Sequence, residues 1–227
     1  MQQLREIARI HTDFSSKFGI PRQSGLIDAL KGRIVFEPEF RDVTALRGLE
    51  GYSHLWLIWQ FSESVMERWS PTVKPPLLGG NARMGVFATR SPFRPNPLGL
   101  SCVKLEGIDT GGPEGPVLRV AGADLLDGTP IYDIKPYLPY ADCHPEASGG
   151  FTEGLAPAPL EVDFPDALLA FIPPEKRDAL RAVLALDPRP GYRRSDSDRR
   201  YGVEFAGFDV RFTVLGGVLR VCEVVAL

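Results

Sequence analysis

Alternating and continuous apolar stretches divide this chain into short strands separated by proline- and glycine-rich turns. Leu4–His11 sets Leu4, Glu6, Ala8 and Ile10 against Arg5 and Arg9, a two-residue period that predicts a strand. Gly32–Phe36 predicts a second short strand, closed by Pro38, and Val43–Leu49 predicts one or two helical turns. His54–Phe61, reading HLWLIWQF, is almost continuously apolar, the pattern of a strand covered on both faces. Leu100–Ile108 and Val117–Ala121 predict strands around the turn Gly111-Gly112-Pro113-Glu114-Gly115. Further on, Pro165–Ile172 and Glu175–Leu186 carry helical patterns punctuated by Pro173-Pro174. Tyr201–Val214 and Val218–Val225 alternate around Gly216-Gly217 as a hairpin. The last third therefore reads as a small α+β subdomain.

Composition sharpens this picture. Across 227 residues, 44% are apolar, enough for a sizeable core, while 23 glycines and 21 prolines favour short strands and tight turns over long helices. A net charge of −3 supplies no global attraction to nucleic acid, so any RNA contact must be local. Cys102, Cys143 and Cys222 are too few and too scattered for a disulfide framework or a zinc site, and Cys102 and Cys222 sit in apolar runs that predict core positions. The first residues lack the apolar core of a signal peptide, and the longest apolar run, Leu55–Trp59, is too short to cross a bilayer. The expectation is a soluble, cytoplasmic protein without a metal.

Four polar stretches carry candidate chemistry. Gly85–Gly99, reading GVFATRSPFRPNPLG, holds three prolines that restrict both themselves and the residues before them, which stiffens a loop bearing Arg90, Arg94 and Asn96. Two guanidiniums and an amide on a rigid loop suit phosphate, carboxylate or base-edge recognition. Asp124–Tyr140 is the second stretch; within it Asp133 and Lys135 are two apart and share one face of a strand. Residues 141–159 change composition and read as a linker or lid. Finally, Asp187–Gly202 sets Arg189, Arg193, Arg194, Arg199 and Arg200 against three aspartates, with Tyr192 and Tyr201 interleaved. That combination suits stacking on unpaired RNA bases. His54 and His144 have no partners that would make a triad or a metal site, and no GxGxxG or P-loop fingerprint occurs.

The stretch Thr89-Arg90-Ser91-Pro92-Phe93-Arg94-Pro95-Asn96-Pro97-Leu98-Gly99 resembles the signature of the TrmO family. Further words agree in the same order: Ile20-Pro21-Arg22-Gln23, Gly48-Leu49-Glu50, Ser53-His54-Leu55-Trp56, Leu78-Gly79-Gly80-Asn81-Ala82-Arg83, Asp124–Pro130 running to Asp133-Ile134-Lys135-Pro136-Tyr137, and Asp187-Pro188-Arg189-Pro190. Ser24 stands where the family usually has a proline.

The resemblance implies a mainly β protein. An N-terminal, non-Rossmann β-barrel over residues 1–145 would bind S-adenosylmethionine and carry out catalysis; a linker (146–160) and a small α+β subdomain (161–227) would follow. It implies a tRNA methyltransferase, acting on N6 of threonylcarbamoyladenosine at position 37 in the anticodon arm, and a homodimer. Cofactor contacts would fall on Pro21, Arg22, Gln23, Ser62, Glu63, Arg90, Leu100, Asp124 and Leu125. Asp133 would take the N6 proton, Lys135 would orient it or bind the substituent, and Tyr137 would stack on the base. Arg94 and Asn96 would touch the nucleotide or its substituent, and the five carboxy-terminal arginines would follow the tRNA backbone. Two other classes remain open on the residues alone: an RNA-binding barrel without catalysis, and a methyltransferase for a small molecule.

Overall fold

The computed structural model of the protein describes residues 3–64, 68–79, 82–154, 158–189 and 199–227. Among them the strands are β1 (Ala8–His11), β2 (Lys31–Phe36), β3 (His54–Gln60), β4 (Thr72–Val73), β5 (Met84–Gly85), β6 (Leu98–Gly112), β7 (Gly115–Ala121), β8 (Thr129–Pro136), β9 (Glu161–Asp163), β10 (Tyr201–Phe205), β11 (Phe208–Leu215) and β12 (Val218–Ala226). The α-helices are α1 (Pro139–Asp142), α2 (Asp166–Leu169) and α3 (Pro174–Ala185).

Six strands close into a barrel in the order β1-β2-β7-β6-β3-β8, each antiparallel to its neighbours. Strand alternation fills it: Ile10, Ile34, Leu55, Leu57, Leu118, Val120 and Ile131 all point inward and are fully buried. The expected two-sided cover of β3 is corrected. Leu55, Leu57 and Trp59 face the core, whereas Trp56 and Ile58 are only half-buried on the outer face. The run is continuously apolar because that outer face is itself an apolar strip.

β6 decides where the barrel opens. Its first part, Leu98–Val103, pairs with β3 alone; β7 joins only at Lys104, opposite Ala121. The two strands splay at that point, leaving a free edge beside Leu98–Val103. A loop fills the notch: Cys102 N donates to Ser24 Oγ at 3.0 Å, and Gly25 N donates to the Gly122 carbonyl at 2.9 Å.

The second sheet, β10-β11-β12-β9, packs against α3. The Tyr201–Val214 run is two strands rather than one. Ala206 and Gly207 both have positive φ, 51° and 82°, and make a tight hairpin turn that alternation alone does not reveal. Cys222 is exposed, because alternation on β12 turns it outward beside a register shift, and Cys102 is half-buried on the outer face of β6. Val43–Leu49 resolves into 3-10 turns at Val43–Leu46 and Leu49–Gly51.

The core of this second sheet contains residues from the N-terminal segment. Phe14, Ile27 and Leu30 are buried among Leu180, Val203, Phe205 and Phe212, and Phe14 meets Phe205 edge-on at 5.3 Å. Lys176 chelates both carboxylate oxygens of Asp13, at 2.8 and 2.6 Å. The loop between β1 and β2 is therefore held on the C-terminal subdomain while its middle, Pro21–Ser24, reaches the notch in the barrel.

Candidate active site

At the notch, two short hydrogen-bond chains converge. Trp59 Nε1 donates to Ser101 Oγ at 2.9 Å, and Ser101 Oγ donates to Asp124 Oδ1 at 2.6 Å. Gly99 makes this possible, since a Cβ there would lie 2.2 Å from the Trp59 ring. Burial raises the Asp124 carboxyl above its ordinary range, with the Ser101 hydrogen bond and the nearby Arg90 charge pulling it back. On the solvent side, the exposed Arg90 guanidinium donates to Gln23 Oε1, and the Gln23 amide donates in turn to the Arg22 carbonyl. Loop, proline-rich segment and barrel edge thus bring Gln23, Arg90 and Asp124 into one polar corner.

Other predicted cofactor residues take different places. Pro21 is buried beneath the loop and Arg22 is exposed on it. Leu100 is 55% exposed on the outer face of β6. Leu125 is fully buried in the barrel core, so its side chain forms no open wall. Ser62 and Glu63 form a 3-10 turn after β3, and the Glu63 carbonyl accepts from Lys17 of the β1–β2 loop.

From the corner, the outer face runs across three strands. The pairings Leu100–Ile58–Asp133 and Cys102–Trp56–Lys135 form two adjacent rows. Two strand spacings separate Leu100 from Asp133, about 10 Å. The two-residue spacing of Asp133 and Lys135 does put them on one face: Lys135 Nζ lies 2.8 Å from Asp133 Oδ2, while Oδ1 accepts from the Ile134 amide at 2.9 Å. Tyr137 continues β8 and packs against Trp56 and His54, with ring centroids 5.9 and 6.2 Å away.

Sequence reasoning missed what braces this face. Asp142 accepts from Leu138 N at 2.8 Å and from Trp56 Nε1 at 3.0 Å, and those bonds hold its carboxyl below the ordinary range. It fixes the indole on which Tyr137 rests. Ser24, Ser101 and Trp59 were also missed; the one signal was a hydroxyl at an inward position of the apolar run Leu98–Leu105.

Two residues expected to contact tRNA have partners within the chain. Arg94 folds back on its own loop, donating to Thr89 O at 2.6 Å and Val86 O at 3.2 Å and lying over the Phe87 ring. It braces the proline-rich segment, while Asn96 beside it is exposed. Arg189 is buried and forked onto Asp187 at 2.8 and 3.0 Å. Arg199 lies over Tyr201, and Arg200 pairs with Glu223 at 3.3 Å. Arg193 and Arg194 lie outside the described residues. Among the described residues, no group of three or more His, Cys, Asp or Glu side chains could hold a metal ion.

The fold and this corner define a class of closed-barrel proteins that gather their polar site at a strand splay instead of at the strand ends of a parallel sheet. Two family models match the chain, the tRNA-methyltransferase O N-terminal domain over residues 9–143 and the TrmO C-terminal domain over residues 157–227. The chain belongs to the TrmO family. It is 41% identical over 219 residues to the tRNA (adenine(37)-N6)-methyltransferase of Escherichia coli K12, covering 93% of each protein. A Pseudomonas aeruginosa protein named as a candidate S-adenosylmethionine-dependent methyltransferase is 40% identical, over 91% of this chain and 90% of its own length. The crystal structure of TrmO from P. aeruginosa superposes with a TM-score of 0.79 at 34% identity, over the whole of both chains.

Proposed function

We propose that this protein transfers a methyl group from S-adenosylmethionine to N6 of adenine 37 in tRNA, the adenine carrying a threonylcarbamoyl group. One observation carries the reading: a corner with donors and an acid, Gln23–Arg90–Asp124, lies at the start of β6, whose outward Leu100 is joined by strand pairing through Ile58 to the Asp133–Lys135 pair. The names of the E. coli and P. aeruginosa relatives support the same chemistry.

The residues at the corner fit that cofactor. Arg90 and Arg22 offer charge-assisted donors to an amino-acid carboxylate, and Asp124 offers acceptors to ribose hydroxyls. Exposed Leu100 gives an apolar surface for a flat ring. When bound, S-adenosylmethionine supplies a methyl group activated on a sulfonium.

The chain's own residues do the rest. In this reading the acceptor nitrogen lies along the row from Leu100 to Asp133, and in-line alignment accounts for much of the rate. An exocyclic nitrogen with a delocalised lone pair is a weak nucleophile, so the proton must leave as the bond forms. Asp133 receives it; its carboxylate is already aimed by Lys135 and the Ile134 amide. Tyr137, backed by Trp56, offers its ring to the splayed base. Arg193, Arg194, Arg199 and Arg200 are the backbone contacts in this reading.

The anticodon arm as partner, a homodimer and a cytoplasmic setting belong to the same proposal. Exposed Phe87 and Phe93 on the proline-rich segment suit cover by a second copy. No helix among the described residues is long and apolar enough to cross a membrane. Nucleoside mass spectrometry of tRNA from a strain lacking this protein tests the reading. It predicts loss of the N6-methylated form of threonylcarbamoyladenosine; an unchanged nucleoside profile contradicts it.

A further inference from the structure

A second concavity opens on the same face, next to Asp133. It is a cleft of about 330 Å³ lined by Leu4, Gln60, Asn96, Pro97, Leu98 and Tyr132. Its position follows from register. Gln60 lies two residues along β3 from Ile58, the partner of Asp133, hence on the same face and about 7 Å further on. Tyr132 is the extra residue at the register shift between Ile58 and Trp59, which puts it beside Asp133.

The lining has a definite chemistry. Three walls are apolar, no charged side chain among the described residues lines the cleft, and the polar groups are two amides and a phenol. Tyr132 Oη donates to Gln60 Oε1, which fixes the amide's orientation and turns its NH₂ end away from the phenol. That NH₂ group has no hydrogen-bond partner among the described residues, and neither does the exposed Asn96 side chain. An oriented, unused amide donor in an apolar frame selects an uncharged planar acceptor over a phosphate, which would require a cation.

We propose that this cleft seats the carbonyl of a carbamoyl-type substituent on the acceptor base, with Gln60 as its reader, Tyr132 as the residue positioning Gln60, and Leu4, Pro97 and Leu98 packing the alkyl part. The inference rests on the methyl-transfer reading above, and it replaces Arg94, which is occupied by its own loop, as the group that recognises the substituent.

The test is steady-state methylation with labelled S-adenosylmethionine and tRNA carrying the threonylcarbamoyl group, comparing wild type with Gln60→Leu, Gln60→Glu and Tyr132→Phe. Loss of one hydrogen bond to a desolvated partner predicts a KM for tRNA raised about tenfold in both Gln60 variants, with kcat within about threefold of wild type. Gln60→Glu matters because it keeps the shape but replaces the donor with an acceptor. Tyr132→Phe releases the amide and should raise KM by a smaller factor, about threefold. Thermal melts within a few degrees of wild type establish that the variants are folded, as expected for outer-face positions. If both Gln60 variants keep the wild-type KM, the cleft does not read the substituent and the inference fails while the methyl-transfer reading stands. If wild-type protein labels no tRNA at all, the methyl-transfer reading itself fails and the inference falls with it.

Discussion

Asp124 shows how a single side chain can work against the fold and for the site. Burial raises its carboxyl above the ordinary aspartate range. A group with a raised folded-state pKa contributes its full stability below the unfolded value and loses it as pH rises through the folded one. Asp124 therefore opposes folding as pH rises above the ordinary carboxylate range. Asp124→Asn keeps an oxygen for the Ser101 hydroxyl and removes the buried charge. The ligand-free variant should melt higher than wild type at pH 7, with the gap closing once pH falls below the usual carboxylate range. The same variant should bind S-adenosylmethionine about tenfold more weakly or worse. Calorimetry of the free protein across pH checks the sign, and a lower melting temperature at pH 7 would contradict it. Asp133 and Lys135 were legible because a strand's period of two places them on one face whatever the fold. Arg94 and Arg189 were not. Each is spent on a local partner, carbonyls of its own loop in one case and Asp187 in the other, and residue type alone does not say which way a side chain turns.

At the scale of elements, β6 and β3 carry the account. Their pairing in register puts Gly99 under Trp59 and Ser101 beside the indole nitrogen. Gly99→Ala places a methyl group 2.2 Å from that ring, which Phe61 holds from its other neighbour at 4.3 Å between centroids. The substitution should cost about 1–3 kcal/mol of stability, the usual scale of overpacking. It should also weaken cofactor binding, because a displaced Trp59 no longer holds Ser101 against Asp124. Chemical denaturation and titration calorimetry check both, and a variant with wild-type values in each would remove the Trp59–Ser101–Asp124 chain from the argument. Strand positions were readable from alternation. The splay between β6 and β7 was not, because it depends on two strands of unequal length meeting out of step. No pattern within either strand encodes that.

At the scale of the whole molecule, the barrel and the C-terminal sheet are coupled through the β1–β2 loop. Phe14, Ile27 and Leu30 belong by sequence to the first part of the chain and by packing to the core of the second. Reading the chain as a barrel, a linker and an appendage missed this, since the loop's apolar residues carry no period that names their partner. Phe205→Ala, on β10, removes the ring that meets Phe14 and should cost about 3–5 kcal/mol. At temperatures where the variant remains folded, cofactor affinity should also fall, although Phe205 touches nothing at the corner. Unchanged affinity would mean that Pro21–Ser24 is held by the barrel alone. The central claim, that methyl transfer takes place on the outer face spanned by β6, β3 and β8, is tested most directly by single-turnover transfer to threonylcarbamoylated tRNA with Asp133→Asn. The account predicts a rate about 100-fold or more below wild type, with S-adenosylmethionine and tRNA affinities unchanged. A wild-type rate in that variant would contradict it.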